Sequence, residues 1–233
     1  RISASENITV NSSSFKTFGL KSTILNSDQI LINGSSFTSV SDQQAIEITE
    51  SHVGLLNNNF YNTYVRVLNT TQETIISSNE FENIVSTTNS LYIYGKERSV
   101  IDGNIFNTLA TNSILVNSGN AIVSNNYFSN ATNAVTAQTY SSLILSNNVV
   151  EQNTNGFVFD STVTNSSVNN NSFSVSNYAI NIAATGNYVT SNTLISGTVN
   201  LAFGNVFPFL TTFEPYYSGL VDIGSNLKPV KDI

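Results

Sequence analysis

The chain has no cysteine, no methionine and no tryptophan, and its 233 residues include one histidine and three prolines. Without Cys there is neither a disulfide framework nor a thiolate metal site. One His with no Cys or Met leaves the usual zinc and copper spheres without ligands. Charge is scarce as well: 10% of residues are Asp, Glu, Lys or Arg, against about 25% in an ordinary globular domain. The net charge of −7 and the isoelectric point near 4.5 argue against nucleic acid and against anionic membrane surfaces as partners. No stretch of eighteen or more apolar residues occurs, so no membrane insertion is expected. Arg1 opens no signal peptide, a start that fits a processed chain or a fragment.

The missing charge is unevenly distributed. Residues 1–102 carry ten Asp or Glu and six Lys or Arg, whereas residues 103–213 carry only Glu151 and Asp160 and no basic residue. The outside of that second stretch is therefore Asn, Ser, Thr and Tyr. Such a surface repels little and hardly changes with pH, so it suits packing against a neighbour or carrying glycans.

What the chain does have is a repeat. The pattern apolar-x-x-Asn-x-Phe appears as VNSSSF (10–15), INGSSF (32–37), LLNNNF (55–60), ISSNEF (76–81), IDGNIF (101–106) and VSNNYF (123–128). It continues, with variation, as LSNNVV (145–150), VNNNSF (168–173) and VTSNTL (189–194). Its polar position is held by Ser13, Ser35, Asn58, Asn79, Asn104, Asn126, Asn148, Asn171 and Asn192, in steps of 22, 23, 21, 25, 22, 22, 23 and 21. Its aromatic position is held by Phe15, Phe37, Phe60, Phe81, Phe106, Phe128 and Phe173. A fixed period of this length marks a solenoid.

Between motifs lie short alternating runs such as AIEIT (45–49), YVRVL (64–68), SLYIY (90–94) and GFVFD (156–160). Apolar residues at every second place are the period of a strand with one buried face. One repeat cannot bury its apolar face alone, but stacked repeats make a continuous core. The expected architecture is all-β: parallel strands in about nine coils of about 22 residues, roughly 45 Å long at the usual spacing of adjacent strands. Like residues would stack on like, giving a Phe ladder inside and an Asn ladder at a turn. Asn suits that turn because it tolerates left-handed backbone and its amide can bond the rungs on either side. Residues 1–202 are read as the solenoid. Residues 203–233 hold all three prolines and a group of aromatics, and are read as a C-terminal cap or assembly segment that covers an open strand edge.

The Φ-x-x-Asn-x-Phe coil with its Φ-x-Φ strand resembles the single-stranded right-handed parallel β-helix of the pectate-lyase-like superfamily, in particular its Asn-rich extracellular and periplasmic members. The resemblance covers residues 1 to about 202 and implies the fold. For function it implies a range, since such folds carry lyases, hydrolases, adhesins, phage spikes and scaffolds.

Enzymes of this kind place their site on the outer face of one sheet. The outward residues of the Φ-x-Φ strands are Lys21, Glu47, Arg66, Tyr92, Leu115, Thr136, Val158, Asn181 and Asn200. Neither the clustered aspartates of pectate lyases nor the paired Asp and His of polygalacturonases is among them. Glu80 and Asp102 are the nearest pair for glycoside hydrolysis, yet strand geometry separates them by about 11 Å. A second column holds Gln29, His52, Glu73, Arg98 and Asn120. There His52 and Glu73 could supply a general base, with Arg98 binding an acidic sugar; a solvent-exposed salt-bridge ladder is the plainer alternative. No metal or cofactor is expected.

Glycosylation sequons occur at Asn7, Asn11, Asn33, Asn69, Asn130, Asn165 and Asn170. With 36 Asn in the chain, about nine would arise by composition alone. The combined expectation is an extracellular or cell-surface structural protein: a self-associating subunit of a filament, sheath, S-layer-like coat or fibre. The alternative is a carbohydrate-binding or carbohydrate-active β-helix of the tailspike or polysaccharide lyase type.

Overall fold

The computed structural model describes residues 2–3, 7–17, 22–25, 28–49, 52–70, 72–84, 89–95 and 97–206. Among them the chain winds as a right-handed parallel β-solenoid of about 22 residues per turn, without a helix. It makes about eight turns. The nine motifs are nine rungs, and nine rungs bound eight full turns, which corrects the nine coils counted from the sequence.

The cross-section has three faces. The first is a nine-stranded sheet whose rungs include Asn7–Asn11, His52–Leu56, Arg98–Asp102 and Tyr188–Thr190. The second is built from the strands that carry the motif phenylalanines, such as Glu80–Glu82 and Ile105–Asn107. The third is built from the alternating runs, such as Asn89–Tyr94 and Asn155–Phe159. In several coils one long strand, for example Asn59–Leu68, turns the corner between the second and third faces, so the two form one continuous sheet.

The corner between the first and second faces explains the motif. The residue before each Asn position is left-handed at all nine rungs: Ser12, Gly34, Asn57, Ser78, Gly103, Asn125, Asn147, Asn170 and Ser191, with φ between 48° and 64°. Asn, Gly and Ser populate that region at low cost. The tight bend turns the next side chain inward. Asn126 is buried, and its Nδ2 donates to the Ile101 carbonyl of the coil before and to Asn148 Oδ1 of the coil after (2.9 and 3.1 Å). The Asn126 backbone N–H also donates to Asn148 Oδ1, at 3.0 Å. The same pattern joins Asn58, Asn79, Asn104, Asn126, Asn148, Asn171 and Asn192, and Ser35 enters it by donating its N–H to Asn58 Oδ1. A buried amide with every group partnered stabilises; one left unpartnered costs about 1–3 kcal/mol.

Two residues further on, Phe15, Phe37, Phe60, Phe81, Phe106 and Phe128 stack with centroids 4.6–5.2 Å apart and ring planes within 19°. Phe15 ends the stack and is 40% exposed, while Phe60 to Phe128 are fully buried. Val150 interrupts the series, so Phe173 is buried outside it. Past residue 202 the winding continues: Val206 bridges Tyr188, and Asn187 donates its N–H to Asn205 Oδ1 at 2.9 Å. From 207 on, the expected cap or assembly segment lies outside the described residues.

Candidate functional site

On the first face strand register places His52 beside Gln29 and Arg98 beside Asn120; Glu73 lies between them, next to the Thr74–Ser99 pair. His52, Glu73 and Arg98 thus occupy three successive rungs. Arg98 Nε donates to Glu73 Oε1 at 2.7 Å, and Nη2 converges on the same oxygen. The pair is open to solvent, with side chains 60% and 34% exposed for Arg98 and Glu73. Glu73 is therefore engaged by Arg98, and the geometry is that of an ion pair along the rungs. Beside this column runs an apolar one: Leu31, Gly54, Ile75, Val100, Ile122 and Ile144 point outward on six consecutive rungs.

On the second face the structure brings together two carboxylates that sequence spacing alone did not single out. Glu80 and Glu82 flank the buried Phe81 and so point outward on the same side. Asn59 Nδ2 donates to Glu80 Oε2 at 3.2 Å. Partial burial, then the charge and hydrogen bonding of Glu80, push the Glu82 carboxyl above its ordinary value, against a smaller opposing bond from Asn59. Further along, the Tyr127 hydroxyl donates to Glu151 Oε2 at 3.0 Å. Burial raises the Tyr127 phenol, and the hydrogen bond and charge of Glu151 add to it. Glu80 and Asp102 do not face each other. Asp102 ends a strand of the first face and accepts from Ser124 Oγ and Asn125 Nδ2 at 2.7 and 2.8 Å, whereas Glu80 begins one of the second.

On the third face Glu47, Arg66, Tyr92, Leu115, Thr136, Val158, Asn181 and Asn200 lie in one column. Thr23, not Lys21, stands opposite Glu47, so the first coil is shifted by two residues relative to the simple count. Lys21 itself lies outside the described residues. Arg66 pairs with Glu47 at 3.0 Å and sits 5.4 Å from the centre of the Tyr92 ring. Tyr64, Arg66, Asn89 and Tyr92 line a shallow cleft of about 210 Å³.

Residues 65–205 match the family model described as "Right handed beta helix region". The chain belongs to this family. No curated protein and no solved structure matches it significantly.

The β-helix carries two further side-chain ladders. At the entry to the third face Asn112, Asn133, Asn155 and Asn177 each donate Nδ2 to the Oδ1 of the Asn one coil earlier, beginning at Asn89, at 2.7–3.0 Å. At the corner leading to the first face, backbone N–H groups of successive coils donate to Ser141 Oγ, Ser166 Oγ, Asn187 Oδ1 and Asn205 Oδ1. The spacing of Asn89, Asn112, Asn133 and Asn155 carried that signal in the sequence. Of the sequon asparagines, Asn7, Asn11, Asn69, Asn130, Asn165 and Asn170 are exposed and Asn33 is half-buried. Asn33 and Asn130 also take part in side-chain hydrogen bonds, with Asn57 and Asn107. Asp160 closes a turn of the uncharged half. Burial alone would raise its carboxyl, but bonds from the Thr162 hydroxyl and from the N–H groups of Thr162, Thr139 and Val163 outweigh it and hold the carboxyl below its ordinary value.

Proposed function

We propose that this right-handed β-helix is an extracellular structural protein. It would serve as a module of a surface filament, sheath, coat or fibre and associate with copies of itself through the faces of the rod. The observation that carries this reading is the state of charge on residues 103–206, which hold only Glu151 and Asp160. Both are engaged, one by Tyr127 and the other by Thr162. A long rod whose second half presents neutral amides, hydroxyls and apolar side chains such as Ile105, Leu109 and Ile195 meets little repulsion from another rod, and its ladders hold the amides in a regular array. Residues 203–233 are part of the proposal as an assembly segment. Electron microscopy of native material tests it: ordered filaments or sheets are expected, lost or altered on deletion of 203–233. Discrete particles at all concentrations would overturn it.

A second reading rests on the cleft of the third face. Two tyrosines with an arginine and an amide between them suit a sugar ring, which stacks on aromatic faces while its hydroxyls take hydrogen bonds. Binding to a polysaccharide panel that disappears in Tyr92→Ala would support it. Activity on acidic polysaccharide lost in His52→Ala or Glu73→Ala would instead place the site on the first face.

A further inference from the structure

The first face joins features found together on neither of the others. Leu31, Gly54, Ile75, Val100, Ile122 and Ile144 form an outward apolar ridge down its middle. The one gap is closed from within: a methyl added at Gly54 would sit 3.1 Å from Leu31 Cδ1, so the Leu31 side chain lies over the glycine. Ile144, at the far end, is 46% exposed. A single apolar residue on a surface is ordinary, whereas an unbroken ridge with polar borders marks a contact surface.

Resting on the assembly reading above, we propose that this ridge is where two copies of the chain meet, sheet against sheet, with rod axes antiparallel. The charges select this arrangement. The ridge is centred between the rungs of Ile75 and Val100, and the Glu73–Arg98 pair straddles the same point. A two-fold axis parallel to the strands through that point sets Glu73 opposite Arg98 of the second copy, and Arg98 opposite its Glu73. It also sets Ile75 over Val100, and Ile122 over the Leu31–Gly54 step. The interface is isologous, so each contact occurs twice. A second copy suits the second face less well, because Glu80, Glu82 and Glu151 would meet their like. On the third face the outward column turns polar at Asn181 and Asn200.

Eight overlapping rungs of about five residues cover about 600 Å² of sheet per copy at standard strand spacings. Stable interfaces bury about 800 Å² per partner. The dimer is therefore reversible and depends on concentration.

Sedimentation equilibrium of the full chain tests this, with circular dichroism to verify the fold of each variant. The wild-type chain should dimerise. Glu73→Arg and Arg98→Glu should each weaken the dimer by about tenfold or more, since each sets like charges face to face. An equimolar mixture of the two variants should recover it, because every facing pair is then opposite in sign, while each chain keeps its like-charged neighbours. Ile122→Asp should abolish dimerisation. A wild-type chain that stays monomeric, or a mixture that fails to recover, overturns the antiparallel contact. If native material forms ordered assemblies that persist in Ile122→Asp, this face is not the contact and the assembly reading stands. If neither dimers nor assemblies form, both readings fall.

Discussion

Phe157 meets Phe173 edge to face, with ring centroids 5.0 Å apart and planes at 79°, next to the coil where Val150 replaces the motif phenylalanine. Both Phe157 and Phe159 belong to the coil that begins with Val150, and both are buried. That coil keeps its core volume by moving aromatic bulk from the second face to the third. The neighbouring third-face strand shows the converse, with Val135 and Ala137 opposite Phe157 and Phe159 and Phe128 in the stack.

Volume exchange of this kind predicts coupling. Val150→Phe should destabilise by about 1–3 kcal/mol through overpacking. Val150→Phe combined with Phe157→Val should lose less than the sum of the two single changes. Urea unfolding of the four proteins measures the coupling, and strict additivity would refute it.

Removing a central ladder amide should be costly. Asn126→Ala deprives the Asn104 N–H of its acceptor and frees the carbonyls of Ile101 and Ser124. Several unpartnered buried groups add to a loss of roughly 3–5 kcal/mol. Asn126→Asp, protonated in acid, keeps the acceptor oxygen and one O–H donor in place of the two amide hydrogens, so it should lie between Ala and wild type there.

Asn153 should behave in the opposite way. It is buried to 1% exposure, and its Oδ1 and Nδ2 have no hydrogen-bond partner among the described residues. Its counterparts in the adjoining coils, Ala131 and Val175, are apolar and buried. Asn153→Val should raise the melting temperature, equivalent to about 1 kcal/mol or more; a fall would show that the amide is satisfied.

Two carboxylates should give pH dependences of opposite sign. Asp160 is held below its ordinary value, so its stabilisation is present at neutral pH and is lost as pH falls through its folded value. Asp160→Asn should be less stable than wild type at pH 7 and converge with it in strong acid. Glu82 is raised, so its favourable contribution exists at low pH and disappears as pH rises through the raised value. Glu82→Gln should match wild type in acid and exceed it slightly, by less than about 1 kcal/mol, at pH 7. Melting temperatures across pH 3–8 distinguish the two.

The rungs were legible because one position in each coil obeys a strict local demand. A left-handed residue followed by an inward amide leaves few residue types to choose from, so Asn147–Asn148 and Asn125–Asn126 resemble each other in sequence. The three-sided cross-section was not legible. Whether Asn59–Leu68 is one strand or two depends on how the chain rounds a corner, which core packing decides. The Asn89 to Asn177 ladder was missed because its members sit outside the repeated motif. The Glu80–Glu82 pair was not legible because the repeat aligns columns between coils, whereas this pair lies along a single strand. Lys21 was misplaced because the interval from the motif phenylalanine to the outward residue of the alternating run varies between coils, from eight residues at Phe15–Thr23 to ten at Phe37–Glu47 and six at Phe60–Arg66.

The asparagine ladder also has a direction. From Asn58 to Asn171 the backbone N–H of each ladder asparagine donates toward the following coil, along the same axis as the strand hydrogen bonds. Tension applied along the rod would stretch these bonds lengthwise and one layer at a time, because each coil touches only its neighbours. Under load the rod would therefore yield as a zipper opening from one end, at nearly constant force, with each released coil adding roughly 70 Å of slack chain.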